Sequence, residues 1–129
     1  MASVAADTHA VLWFLEADKR LTPAAGVALA GAECILLPSI CLVEITYLVE
    51  KGRLHPAVLP RLLAELDNPA TTLELAALDL GVILALRHVS RFEVPDLPDR
   101  VIAATAFFHC VPLVTRDGKI RSCGVDTIW

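Results

Sequence analysis

Asp7, Glu44, Asp99 and Asp117 are the side chains of this 129-residue sequence around which a reaction could be organised. Asp7 closes a short apolar run, Asp117 follows another by two residues, and Asp99 falls in the first turn of a predicted helix. Glu44 sits between Val43 and Ile45, about one and a half helical turns beyond Ser39. A carboxylate in such apolar company is costly unless a cation or hydrogen bonds compensate it. Four oxygen donors suit a hard divalent cation, Mg²⁺ or Mn²⁺, whereas zinc prefers His or Cys. One such ion, or a pair, would activate water against a phosphodiester and offset the charge developing on the phosphate and leaving oxygen. Each acid also has a purely structural reading. Asp7 can cap the following helix, Asp99 can complement a helix dipole, Asp117-Gly118 is a common turn pair, and Glu44 can lie on an outward helix face.

The elements that must position these acids alternate between strand and helix. A strand is expected over Val4 to Asp7, running into a helix from Thr8 to Ala17, and Thr22 and Pro23 open a second helix through Ala30. Cys34 to Pro38 reads as a strand, and Ser39 as the N-cap of a helix that Gly52 stops. Pro56 to Asp67 is an amphipathic helix ended by Asn68-Pro69, and Thr71 to Leu75 a strand. Asp79 to His88 is helical, Val89 to Asp96 a loop, and Leu97 to Phe108 a helix capped by Asp96 with Pro98 in its first turn. Val111 to Thr115 is a strand and Thr127 to Trp129 a last edge strand. This order predicts a mostly parallel sheet covered on both faces, in which ligands gather beyond the carboxyl ends of the strands. The acids fall there.

Four segments, Val4 to His9, Ser39 to Ile45, Pro98 to Ala106 and Leu113 to Asp117, resemble in order and spacing the four acidic motifs of PIN-domain nucleases, above all the VapC-type toxins of toxin-antitoxin pairs. The resemblance covers essentially the whole chain. It implies a PIN-like three-layer α/β/α sandwich in one domain, residues 1–129, and Mg²⁺-dependent endoribonuclease activity. Asp7, Glu44, Asp99 and Asp117 would be the catalytic, metal-binding acids, with Thr115 a hydroxyl beside them. A cognate antitoxin, a homodimer and a cytoplasmic location go with it. After Asp117 the chain has Gly118-Lys119-Ile120 where the commoner pattern has a second acid and an aromatic, which leaves one metal or two open.

Arg100, Arg116, Lys119 and Arg121 flank the acids and are candidates to meet substrate phosphates, Arg116 first among them; solvation or ion pairing with the acids is the alternative. Lys51 and Arg53 suit the end of a helix better than a site. His9 is read as a helix-start residue and not as a general base, Asp96 as a cap and not as a ligand, and Trp13 and Phe14 as core more than partner anchors. All four cysteines, at 34, 41, 110 and 123, are expected to be buried, inert thiols in a reducing compartment.

The formal charge of -4 speaks against gripping nucleic acid by bulk positive charge, without excluding an enzyme whose acids hold metal. Mean hydropathy is +0.62, yet no uncharged stretch reaches the ~20 residues of a membrane span and no secretory signal is visible. The apolar excess points instead to a partner interface. Nucleotide-triphosphate loops, serine-hydrolase elbows and zinc-protease helices are absent as motifs. A non-catalytic RNA- or protein-binding module on the same fold is the alternative function. A phosphoacceptor receiver lacks its acid pair and late lysine here.

Overall fold

Val4, Ala5 and Ala6 form β1 (Val4–Ala6), every residue of it buried. Small side chains on this central strand allow helices to approach the sheet closely from both faces. The remaining strands are β2 (Ile35–Pro38), β3 (Leu73–Ala76), β4 (Leu113–Val114) and β5 (Thr127–Ile128). The computed structural model describes residues 2–129, and among these the five strands form one sheet in the order β3-β2-β1-β4-β5. All four pairings are parallel, so the expected mostly parallel sheet is wholly parallel. Ala5 faces Leu36 on one side and Leu113 on the other, which sets β1 in the middle.

Among the described residues seven α-helices connect and cover the strands: α1 (Thr8–Leu15), α2 (Pro23–Gly31), α3 (Ile40–Glu50), α4 (Val58–Asp67), α5 (Leu80–Ala85), α6 (Leu97–His109) and α7 (Gly118–Arg121). Right-handed crossovers put α1 to α4, which lead outward from β1 to β3, on one face, and α5 to α7, which lead back, on the other. Within each set α1 packs on α2 and α3 on α4, while α5 and α7 pack on α6; α3 also meets α6, which joins the two sets. This is the three-layer α/β/α arrangement expected from the sequence. Its core joins Val11, Leu29, Ile35, Leu37, Ile45, Leu62, Val82, Ile102 and Leu113.

Local chemistry accounts for the boundaries that moved. Helix α1 stops at Leu15 and not Ala17, because Ala17 takes a left-handed φ of 52°. Ser39 is helical itself and does not cap α3 with its side chain; its hydroxyl accepts from Leu78 N–H at 3.1 Å, pinning the chain beyond β3. Helix α4 begins at Val58, since His55 Nδ1 accepts from Ala57 N–H and holds the preceding residues in a turn. Thr71 donates to Glu65 and accepts from Leu73 N–H, which makes it a turn residue and delays β3. Asp79 caps α5, and a 3₁₀ turn over Leu86–His88 completes the helix expected through His88. Helix α7 was not expected.

The cysteine expectation holds only for Cys41. Cys34 and Cys123 are half-buried and Cys110 is exposed, where it ends α6 in the left-handed conformation; all four are free. Trp13 belongs to the interior as expected. Leu80, Ile83 and Leu84 of α5 and Phe107 and Phe108 of α6 form an exposed apolar face. Among the described residues no helix is long and apolar enough to cross a membrane.

Candidate metal centre

Strand order reverses at β1: the chain winds outward through β2 to β3, then returns to the other side of β1 to add β4 and β5. Loops leaving β1 and β4 therefore separate to opposite faces and open a crevice at their carboxyl ends, the usual ligand position in an open parallel sheet. Asp7 leaves β1 and Thr115 leaves β4, with Asp7 N–H on Val114 O at 3.1 Å.

The Asp7 carboxylate is clamped at both oxygens. Oδ1 accepts from Ala10 N–H at 2.8 Å as the α1 N-cap, and Oδ2 accepts the hydroxyl of Thr115, a fully buried residue. The same hydroxyl oxygen accepts from Asp117 N–H at 3.1 Å, so one threonine ties two of the candidate acids together. Asp117 Oδ1 caps α7, accepting from Lys119 and Ile120 N–H at 2.9 Å each. Glu44 Oε1 accepts from the buried Thr8 hydroxyl at 2.8 Å, and α3 touches both α1 and α6. Asp99 lies in the first turn of α6, its N–H on the capping Asp96 at 3.0 Å. Among the described residues no hydrogen-bond donor reaches the Asp99 carboxylate.

These acids form one electrostatic unit. Burial pushes the Asp7 carboxyl above its ordinary range, and Asp117 adds to the rise, against the bonds from Thr115 and Ala10 and the nearby His9. Glu44 is likewise raised, by burial first and then by Asp96 and Asp7, with Thr8 opposing. Asp99 is pushed up to about 7 by burial and by Asp96, Asp117, Glu44 and Asp7 in that order. Among the described residues none of the four acids is ion-paired to a basic side chain; the ion pair found is Arg20–Asp18, away from them.

The donor set fits a hard divalent cation: oxygen only, several like charges within range of one another, and, among the described residues, no ion pair to a basic side chain. As the side chains stand, no three described His, Cys, Asp or Glu groups converge tightly enough to clasp an ion. Hydrogen bonds from Thr8, Thr115 and the α7 backbone fix the orientation of Glu44, Asp7 and Asp117.

Of the basic residues expected at the rim, Arg100 is not free. Its Nε and Nη2 donate to Val89 O and Leu86 O at 3.1 and 3.0 Å, fastening the loop before α6. Sequence spacing had placed it beside Asp99 correctly, but a guanidinium next to a run of loop carbonyls turns to them. Arg116 is exposed, its guanidinium carbon 4.6 Å from the Trp13 ring centroid. Lys119 and Arg121 project from α7 into solvent. Thr8 was missed in the sequence, although it adjoins Asp7; nothing local marks a threonine as the partner of a glutamate 36 positions away.

The family profile described as PIN domain matches residues 4–125. The chain is 29% identical over 122 residues to "Ribonuclease VapC22" of Mycobacterium tuberculosis, covering 95% of this chain and 92% of that protein. Similar folds occur in a toxin-antitoxin complex from Klebsiella pneumoniae, with a TM-score of 0.69 at 20% identity over 98% of this chain and 96% of that one. VapBC2 from Rickettsia felis, bound to a DNA fragment from its promoter, superposes with a TM-score of 0.68 at 17% identity over 97% and 96% of the chains.

Proposed function

The chain belongs to the PIN domain family, and from that premise we propose that it is a Mg²⁺-dependent endoribonuclease, with Mn²⁺ as an alternative ion, whose catalytic and metal-binding acids are Asp7, Glu44, Asp99 and Asp117. The observation that carries this reading is their placement around the strand-order reversal, where Asp99 feels all three others and, among the described residues, none is ion-paired with a base. Divalent-metal dependence goes with the nuclease family; Mg²⁺ in particular is favoured by the all-oxygen donors.

Bound there, the cation would activate water and offset the charge building on the phosphate. The chain's own part is positioning. Thr115 holds Asp7 and the Asp117 backbone in register, and Thr8 fixes Glu44. Such hydrogen-bonded partners orient ligating carboxylates. Among the described residues, Asp117 Oδ2 and both Asp99 oxygens accept no hydrogen bond and remain available as donors to an ion. Arg116, held at the crevice edge by Trp13, supplies a guanidinium for a substrate phosphate.

Residues 1–129 act as one nuclease domain in this reading. VapC22 is by name a ribonuclease, and the Klebsiella and Rickettsia structures are toxin-antitoxin assemblies. Carried to this chain, they make it the toxin of such a pair, cytoplasmic, acting on RNA, forming a homodimer and restrained by a cognate antitoxin. The exposed apolar face of α5 and α6 supports a protein partner.

The test is incubation of the chain with total cellular RNA in Mg²⁺, Mn²⁺ or EDTA, with new 5′ ends mapped by sequencing. Discrete cuts are expected only with metal, and Asp7→Asn or Glu44→Gln should reduce them by at least about a hundredfold while leaving the melting transition cooperative. Cuts persisting in both variants would remove the metal-site assignment. RNA binding without cleavage would favour the non-catalytic module.

A further inference from the structure

A cavity of about 130 Å³ opens beside the acids, lined by Asp7 and Asp117 together with His9, Trp13, Arg116 and Trp129. It is smaller than the ~300 Å³ at which whole-ligand pockets begin, and therefore admits one group of a larger substrate. Glu44 and Asp99 do not line it, so it adjoins the metal centre without coinciding with it.

Its walls are flat and unsaturated. Trp13, only 4% exposed, is the floor; its ring centroid lies 5.5 Å from that of His9 and 5.9 Å from that of Trp129, both tilted. Trp129 is half-buried and His9 exposed, and both line the cavity. Two guanidiniums lie over Trp13. Arg20, at 4.8 Å, is committed to Asp18 by an ion pair of 2.8 Å. Arg116, at 4.6 Å, makes no ion pair and no hydrogen bond among the described residues, although Asp7 and Asp117 border the same cavity. Aromatic contact thus holds a free cation just clear of the acids. Packing of Trp129 on α1 explains the two tryptophans, but not a guanidinium kept unpaired at their edge.

Flat ring surfaces beside a guanidinium, next to a centre for phosphodiester chemistry, match an unpaired nucleotide: aromatics stack splayed bases, and arginine meets the phosphate. Resting on the nuclease reading above, we propose that His9 and Trp129 form a stacking subsite for one unpaired RNA base flanking the bond to be cut, with Arg116 on that nucleotide's phosphate and Trp13 as the support that positions both. The subsite selects for single-stranded RNA, because a paired base cannot leave its stack without cost.

Binding alone tests this, independently of cleavage. Single-stranded octaribonucleotides, and an abasic strand of equal length and phosphate count, each carrying a 3′-terminal dye, are titrated in EDTA at low salt against wild type, Trp129→Ala, Trp129→Phe and Arg116→Ala, with dye anisotropy as the readout of affinity and tryptophan fluorescence recorded for wild type. Repulsion by the metal-free acids is the same for both probes and cancels in their comparison. The base-bearing strand is expected to quench fluorescence and bind wild type roughly ten- to a hundredfold tighter than the abasic one. Trp129→Ala should erase most of that ratio, Trp129→Phe retain most of it, and Arg116→Ala weaken both probes alike. Equal binding of the two probes by wild type, no binding of either, or equal weakening of both by Trp129→Ala would each overturn the subsite. Failure of the nuclease reading shows separately, as absence of metal-dependent cuts in cellular RNA.

Discussion

Replacing Asp99 by Asn should stabilise the metal-free protein at neutral and alkaline pH and do nothing for it in acid. Asp99 is held at about 7 against an ordinary 3.8, first by burial and then by four neighbouring acids. Between those two values the folded state binds more protons at this site than the unfolded one, so stability falls as pH rises. Below about 4 the wild-type carboxyl is neutral in both states and resembles the amide. Above about 7 it is charged in both, and the full cost of burying that charge is present. At ~1.4 kcal/mol per pH unit the displacement bounds the cost at ~4 kcal/mol. Asp99 is only half-buried, and screening by solvent brings the expected value to ~1–2 kcal/mol. For a chain of this size that is a melting-temperature gain of roughly 3–10 °C in EDTA at pH 8, shrinking to zero near pH 4. Thermal melts of both proteins across pH 4 to 8 read it directly. Adding Mg²⁺ supplies the opposite sign: a cation at a hundred times its dissociation constant adds ~2.7 kcal/mol to the protein that binds it. Wild type should gain more than the variant and close or reverse the gap. An Asp99→Asn protein no more stable than wild type in EDTA at pH 8 would refute the account of Asp99 as an acid held among like charges.

Thr115→Val removes the hydroxyl shared by Asp7 and Asp117 N–H; cleavage should fall roughly 10- to 100-fold and stability by ~1–3 kcal/mol, measured on digests and melts of the same preparation. Arg100→Met leaves Val89 O and Leu86 O without their charged donor and should cost ~2 kcal/mol, with faster amide exchange over residues 86–96. A Cβ on Gly81 would meet the Phe108 ring at 2.4 Å, so Gly81→Ala should lose ~1 kcal/mol despite its better helix propensity. Pairing it with Phe108→Ala should turn the alanine stabilising, and a double-mutant cycle without coupling would place the ring elsewhere.

What could be read in the sequence followed from rules that depend on chain order. Alternating strands and helices imply a parallel sheet, and a parallel sheet places strand-end acids in one crevice, which is why Asp7 and Asp117 could be identified together. Asp96 was legible as a cap because Asp-x-Pro-Asp is a local pattern. Choices decided by distant chain segments were not legible. Arg100 turns to carbonyls 11 and 14 residues earlier, Ser39 to an amide 39 residues later, and Thr8 to a glutamate 36 residues later. Helix α7, at four residues, is too short to carry a periodicity, and its start at Asp117 read only as a turn.

The four acids are not equivalent, and the difference lies in what holds each one. Asp7 receives an N–H and an O–H, Asp117 two N–H groups, and Glu44 one hydroxyl. At Asp7 and Glu44 these donors favour the charged carboxylate and offset part of its burial. Asp99 has no such donor among the described residues, so its burial and then the repulsion of its acidic neighbours stand uncompensated. Neutralising Asp99 therefore relieves strain, whereas neutralising Asp7 breaks a fitted contact. The amide introduced by Asp7→Asn would have to turn its NH₂ toward the Thr115 oxygen, which already accepts from Asp117 N–H, or toward Ala10 N–H, which needs an acceptor. The same loss of one negative charge should thus raise stability at position 99 and raise it less at position 7, where relief of a buried charge is set against the broken contact. An arrangement in which the acids merely shared a solvated surface would give no such difference.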